Sequence, residues 1–418
     1  MKLELCEFKV HDVVFGPRTR FDDGTLTVNR DELIAYLNRD GLFQSMEIEI
    51  ARPGESVRII HIMDAVEPRI KIGEDRSAFP GAHGKMEIAG SGRTHRLGGM
   101  AILQTGARQG IQEGIVDMTG PGADYSRFSR TINLVLVCTP FPDSSNIEFD
   151  RATRTTALEA AEYLAATTRN LTPDMVEEFD LNPGINSSTD LPRIAYIYHL
   201  QSQGVLRDTF VYGENARALL PTFLHPNEVL DGAIVSGNYI IACQKNPTYL
   251  HQNNPVVREL YRRHGRDLLF SGVIIANEHS TLREKERSAK FAAKLAAQLG
   301  ARGVVMTQEG GGHADTDLML CCVECEKLGI RTVVLINEIA GADGDQQSLV
   351  DNVAQADAVV TTGNNDEVVH LPGMERVVGG SEIAGVSGGP DGAMALALGR
   401  VYTSTNQLGA TLMTVKEF

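Results

Sequence analysis

The sequence predicts an α/β protein: a β-rich N-terminal region, then α/β layers, then a C-terminal parallel sheet of Rossmann-like or flavodoxin-like type. Three observations carry this expectation. From residue 265 onward, short apolar runs alternate with helical stretches, the pattern of βαβ units. Up to residue 130 the chain is rich in glycine and in apolar residues at period two, the pattern of sheet. Between the two, an apolar strand, a helix with an apolar stripe and a second strand mark the change. The implied division is 1–130 (β-rich), 131–264 (α/β) and 265–418 (Rossmann-like), in keeping with about 100 to 200 residues per domain.

In chain order, FDDGTLTV (21–28) sets an Asp-Gly turn before Leu26 and Val28 at period two, a hairpin signal. RDELIAYLNR (30–39) reads as a short helix, and VRIIHIMDAVEPRIKI (57–72) as strand, before glycine-rich, locally basic loops over 79–99. INLVLVC (132–138) is a buried strand, 152–170 a helix, and PRIAYIYHLQ (192–201) another strand. DLLFSGVIIAN (267–277), GVVMTQE (303–309), TVVLINE (332–338) and DAVVTTG (357–363) supply the C-terminal strands. Its helices are expected at 282–300, ended by Gly300, at 318–329, and near 345–355. Ligands of such sheets sit at the carboxyl ends of the strands.

Composition narrows the function. With 42% hydrophobic and 22% charged residues the chain is globular rather than disordered. A formal charge of −15, from 39 basic and 54 acidic residues, disfavours nucleic acid and anionic membrane as partners, since both are held largely by Lys and Arg. No apolar run approaches the roughly 18 residues of a membrane span. The N-terminus MKLELCEFKVHD lacks the apolar stretch of a signal peptide. Six cysteines, two of them adjacent at 321 and 322, form no evenly spaced disulfide framework. They are expected as reduced thiols in a cytoplasmic protein.

Several motifs have competing readings. GGGHADTD (310–317) follows a strand and opens a helix, so Gly311, Gly312 and His313 are candidates for holding an anionic substrate group. A plain tight turn with Asp315 or Thr316 as helix cap is the alternative. The loop lacks both G-x-G-x-x-G and Walker spacing. His313, Asp315 and Asp317, spaced by two at a helix start, do not all point one way, and no metal is expected. Cys322 and Cys325 have dithiol spacing, but Cys321 and Cys325 stack at i and i+4 inside a helix, which favours core packing. The basic stretch at 93–96 is either a carboxylate site or a solvated loop.

One segment stands apart. In 233–265 an apolar run ends in a thiol, Cys243, and gives way to a polar stretch broken by Pro247 and Pro255. That stretch holds Asn246, Thr248, Tyr249, His251, Gln252, Asn253 and Asn254. So many hydrogen-bonding side chains around a thiol suit a site, while an ordinary loop with a buried cysteine is the bland account.

This segment, ACQKNPTYLHQNNPV (242–256), resembles the proprotein subunit of component B of the glycine, sarcosine and betaine reductases. So do FKVHDVVFG and DGTLTV near the start and EGGGHADTDLML and TVVLINEIAG near the end. The resemblance implies a proprotein cut at Ala242-Cys243, with a covalent pyruvoyl group made from Cys243. It also implies a selenocysteine-bearing partner subunit, further reductase components, and a small amine or amino-acid substrate. The chemistry is intelligible: the Cys243 thiolate attacks the Ala242 carbonyl, and β-elimination leaves a dehydroalanine whose imine hydrolyses to pyruvoyl. His251, Asn253 and Asn254 are the candidate acid, base and oxyanion groups. Lys245, Asn246 and Tyr249 join Gly311, Gly312 and His313 as candidates for binding substrate. The competing expectations are an uncleaved structural or ligand-binding subunit and a pyruvoyl subunit of the D-proline reductase type.

Overall fold

Five apolar runs assemble into one parallel sheet in the computed structural model, which describes residues 1–73, 76–106, 114–182, 190–203, 208–237, 241–411 and 413–415. Arg193–Leu200 lies between Leu269–Asn277 and Gly303–Thr307, and Arg331–Glu338 and Val359–Asn364 continue the sheet in parallel. Thr222–Leu224 and Thr414–Val415 flank it as antiparallel edges. Numbered along the chain, the parallel strands stand in the order 2-1-3-4-5, so of the two expected types the sheet is flavodoxin-like. The topological switch point falls between Arg193–Leu200 and Gly303–Thr307. The sheet's first strand therefore lies well before residue 265.

These strands read as near-continuous apolar runs because both faces are covered. On one face, helices Leu282–Gln298 and His313–Lys327 pack with small side chains: Ala289, Ala292, Ala293 and Ala296 share a core with Cys321, Cys322 and Cys325. The cysteines thus fill core, as their i, i+4 spacing implied. None of the six forms a disulfide.

The first 140 residues are mostly sheet. Leu3–Lys9 runs parallel to Gly92–Gly98, and Ser45–Ala51, Ile132–Thr139, Met100–Thr105 and Ile62–Val66 form a second four-stranded layer. Helix Asn146–Ala165 packs beside this layer in a shared core. The Asp-Gly hairpin forms between Arg20–Asp22 and Thr25–Val28. The later chain returns to this region: Arg376–Val378 pairs in parallel with Val57–Ile59.

Five local expectations need correction. The basic stretch 93–96 is no solvated loop: it lies in the strand Gly92–Gly98, with Thr94, His95 and Arg96 buried. The run 57–72 is three short strands, because His61 adopts φ +57° and Pro68 interrupts the ladder. The helix expected from 152 starts at Asn146, nucleated by a capping box in which Ser145 and Glu148 satisfy each other's backbone donors. The helix expected from 318 starts at His313, with Gly312 rather than Asp315 or Thr316 as its cap. No helix forms at 345–355: the Asp315 carboxylate takes the Val350 N–H, and Val350 itself is exposed. Among the described residues, no helix is long and apolar enough to cross a membrane.

Candidate active site

The Ala242-Cys243 peptide sits in a single 3-10 turn, Ala242–Gln244, at the carboxyl ends of the parallel strands. Its carbonyl oxygen accepts two backbone N–H groups, from Thr403 at 2.9 Å and from Lys245 at 3.4 Å. Thr403 holds this donor at φ +63°, a conformation that costs a β-branched residue energy and recurs at functional sites. Two donors on one carbonyl polarise it toward attack and await negative charge on its oxygen.

The Cys243 thiol is fully buried beside Gly399 and hydrogen-bonds Thr405. Burial pushes it up to about 12, against the Thr405 bond, which pulls it down. At neutral pH it is therefore a thiol, reactive only once a base removes its proton. Asp366 is the carboxylate whose charge the thiol feels.

A carboxamide network surrounds the turn. Asn337 Oδ1 accepts from Gln244 at 3.2 Å and from Gln407 at 2.7 Å, while Asn337 donates to Asn365 at 2.8 Å. Thr405 donates to the same Asn365 oxygen, which leads the network back to Cys243. Gly310 O accepts from both Gln407 and Gln308. These side chains come from the ends of three strands and from the C-terminal segment 403–407, so the sheet gathers residues that sequence separates by more than 160 positions.

The sequence-derived candidates occupy three surroundings. Lys245 and Asn246 are buried in the same network: Lys245 Nζ donates to Gly237 O, and Asn406 bonds both Lys245 O and the Asn246 side chain. Burial lowers the Lys245 ammonium, with Asp64 and Glu309 pulling it back. Asn246 donates to the Tyr198 hydroxyl, which also meets His251 Nδ1 at 2.9 Å.

His251 Nε2 lies 3.5 Å from Glu309 Oε1. Burial drives this histidine down to about 3 and the glutamate up to about 7, so at neutral pH the imidazole is uncharged and the contact is not an ion pair. Asn253 accepts from Arg69 and Arg96 beside a cavity of about 610 Å³ that Tyr249 also lines. Asn254 caps the helix Pro255–Arg263 through the Val257 N–H. Its neighbour Pro255 occupies the first helical position, where a missing donor does no harm.

Gly311, Gly312 and His313 form the other wall. A Cβ on Gly311 would stand 2.8 Å from the Gln244 amide nitrogen, so glycine there lets Gln244 lie against the loop. Asp315 and Asp317 are committed elsewhere, to Gln308 with the Val350 N–H and to Lys285 respectively. The sequence reading missed Thr403, Thr405, Gln407, Asn337, Asn365 and Asp366. The signal available was polar clusters directly after apolar runs, TGNND at 362–366 and STNQ at 404–407.

At the carboxyl ends of a flavodoxin-like sheet, the chain thus sets a buried thiol beside a peptide carbonyl that accepts two backbone N–H groups. Comparison with known proteins gives the family. A family profile described as glycine/sarcosine/betaine reductase component B subunits matches residues 1–416, and the chain belongs to that family. It is 43% identical to the glycine reductase complex component B subunits alpha and beta of Acetoanaerobium sticklandii, over the whole of both chains. It is 42% identical to the sarcosine reductase complex component B subunit alpha of Peptoclostridium acidaminophilum, covering 91% of this chain and 89% of that one. With the betaine reductase complex component B subunit alpha of the same organism, identity is 38% over both full lengths. No solved structure matches.

Proposed function

We propose that this chain is a self-processing proprotein, cut at Ala242-Cys243, whose second piece carries a pyruvoyl group and activates a small amine within a reductase complex. The observation that supports it best is the Ala242 carbonyl, which receives the Thr403 and Lys245 N–H groups directly beside a buried thiol. These residues fit the group: the thiol, the polarised carbonyl and a nearby carboxylate are the parts its formation needs.

The reaction balances as follows. Asp366, the carboxylate whose charge the thiol senses, serves as the base that takes the thiol proton, and the sulfur attacks the Ala242 carbonyl carbon. Charge on the oxygen meets the Thr403 and Lys245 N–H groups, and the C–N bond breaks to give a thioester and a free amine. Loss of the Cys243 Cα proton then breaks the Cβ–S bond, and residues 1–242 leave as a thiocarboxylate. The dehydroalanine left on Gln244 tautomerises to an imine; water adds and ammonia departs. The resulting carbonyl supplies an electron sink for a substrate C–N bond.

The strand ends and the Gly311–His313 turn serve as the substrate cleft. The free N–H groups of the helix that His313 begins would receive the substrate carboxylate. Lys245 and Asn246 hold the loop, and His251 with Glu309 keeps a proton in reserve. A selenoprotein subunit provides the attacking selenolate, and other components carry the product onward. Six unpaired buried thiols suit a reducing, cytoplasmic setting.

Intact-mass measurement of the protein made with its partners tests the reading. Cleavage after residue 242 divides 45.4 kDa into pieces of roughly 26 and 19 kDa, the smaller with a blocked N-terminus. Cys243→Ala stays whole. A wild-type chain that stays whole, or a small piece with an ordinary amino terminus, would refute it.

A further inference from the structure

Three buried glutamines at the site each have a carbonyl oxygen with no hydrogen-bond partner among the described residues: Gln244, Gln308 and Gln407. All three are completely buried. An unpaired buried acceptor forfeits its hydration, so three together call for a donor that the described residues do not supply.

Their orientations are fixed rather than arbitrary. Gly310 O is a backbone carbonyl and can only accept, so Gln407 and Gln308 must turn their NH₂ groups toward it. Gln308 also donates to the Asp315 carboxylate. Gln407 then donates to Asn337 Oδ1, which fixes Asn337, and Gln244 must donate to that same oxygen. The oxygens of all three carboxamides are thereby left over. Shared partners tie the three groups into one cluster: Gln244 and Gln407 meet at Asn337 Oδ1, and Gln407 and Gln308 at Gly310 O. They lie beside the switch point: Gln308 directly follows the strand Gly303–Thr307, and Gln244 follows Cys243.

We propose that Gln244, Gln308 and Gln407 form the subsite for the amino group of the substrate and select amines that carry at least one N–H. This rests on the processing reading, since cleavage of the adjoining peptide bond frees the backbone at Gln244 and opens the buried site. Carbonyl oxygens suit the hydrogens of a primary or secondary ammonium, and the Asp315 carboxyl that Gln308 also meets adds an acidic group beside them. A quaternary ammonium has no N–H and would leave all three oxygens desolvated and unpaired, the condition under which polar sites discriminate most strongly. The route in is the half-exposed Gly311 and Gly312, against which Gln244 packs.

The test is equilibrium binding of glycine, N-methylglycine and N,N,N-trimethylglycine to the processed protein in its complex, with intact mass recorded on the same sample. Glycine and N-methylglycine should bind at least about tenfold more tightly than the trimethyl compound. Gln407→Leu, with Gln308→Met as a second variant, should weaken glycine by about tenfold and leave the trimethyl compound unchanged. Equal binding of all three compounds to the cut wild-type chain overturns the proposal while leaving the processing reading intact, and needs no variant to be stable. Unchanged glycine affinity in both folded variants also overturns it. An uncut chain that binds none of the three overturns both.

Discussion

Glu309→Gln should flatten the pH dependence of stability between about pH 4.5 and 7, by a calculable amount. Burial holds the Glu309 carboxyl at about 7 instead of 4.5, so in that window the folded chain keeps a proton that the unfolded chain has lost. The stability this proton contributes is fully present below the unfolded value and is lost as pH rises through 7. At 1.36 kcal/mol per unit, the shift amounts to about 3 kcal/mol.

Gln resembles the protonated acid and can keep the bonds Glu309 accepts from Gln201 N at 2.8 Å and Thr209 Oγ1 at 2.6 Å. Its NH₂ can also donate to the unpaired His251 Nε2. The variant should therefore come within about 1 kcal/mol of the parent at pH 5 and exceed it by up to about 3 kcal/mol at pH 8. Urea denaturation at pH 5, 6, 7 and 8, with both proteins in a Cys243→Ala background to keep the chains whole, gives the difference curve. Other buried carboxyls with raised values, such as Asp317 at about 6, contribute equally to both proteins and cancel. A difference that does not change from pH 5 to 8 would refute the reasoning.

Two further outcomes follow from buried contacts. Asp117→Ala should destabilise by about 3 to 5 kcal/mol in urea denaturation, because it strands the fully buried Arg58 guanidinium whose other bonds go to the carbonyls of Pro372, Pro390 and Gly392. A loss below about 1 kcal/mol would show that these carbonyls suffice. After processing, the two pieces should co-elute on a native sizing column and part only in denaturant, whereas residues 1–242 and 243–418 expressed separately should fail to assemble on mixing. Separation of the processed pieces under native conditions would contradict the sheet order.

What sequence made legible and what it hid divide along physical lines. The parallel strands were readable because burial on both faces enforces continuous apolar runs, and the helix Leu282–Gln298 because its alanines recur at helical spacing. The hairpin followed from local turn chemistry at Asp23 and Gly24. Strand order was not readable: nothing in PRIAYIYHLQ announces that it lies inside a sheet whose other parallel strands begin some 70 residues later. The cysteine was singled out by its polar surroundings in sequence. The groups around it, Thr403 on the Ala242 carbonyl, Thr405 on the thiol and the charge of Asp366, come from the far end of the chain and depend on tertiary closure. Local pattern finds the thiol; only topology finds the groups that surround it.

The position of Cys243 in that topology explains why a cut there can be tolerated. Arg193–Leu200 and Leu269–Asn277 are parallel neighbours, and parallel neighbours require a crossover connection. Residues 201–268 are that connection, and the Ala242-Cys243 peptide lies within it. While the chain is whole, the connection holds the first strand near its partners at high effective concentration, which offsets the entropy of inserting it between Leu269–Asn277 and Gly303–Thr307. Once the strand is hydrogen-bonded on both sides, the connection no longer determines whether it stays. The groups that polarise the peptide belong to residues 403–405, which reach Ala242 only in the folded state. Cleavage by the proposed route would thus be coupled to completed folding by geometry: the Thr403 donor arrives with the structure that makes the bond dispensable.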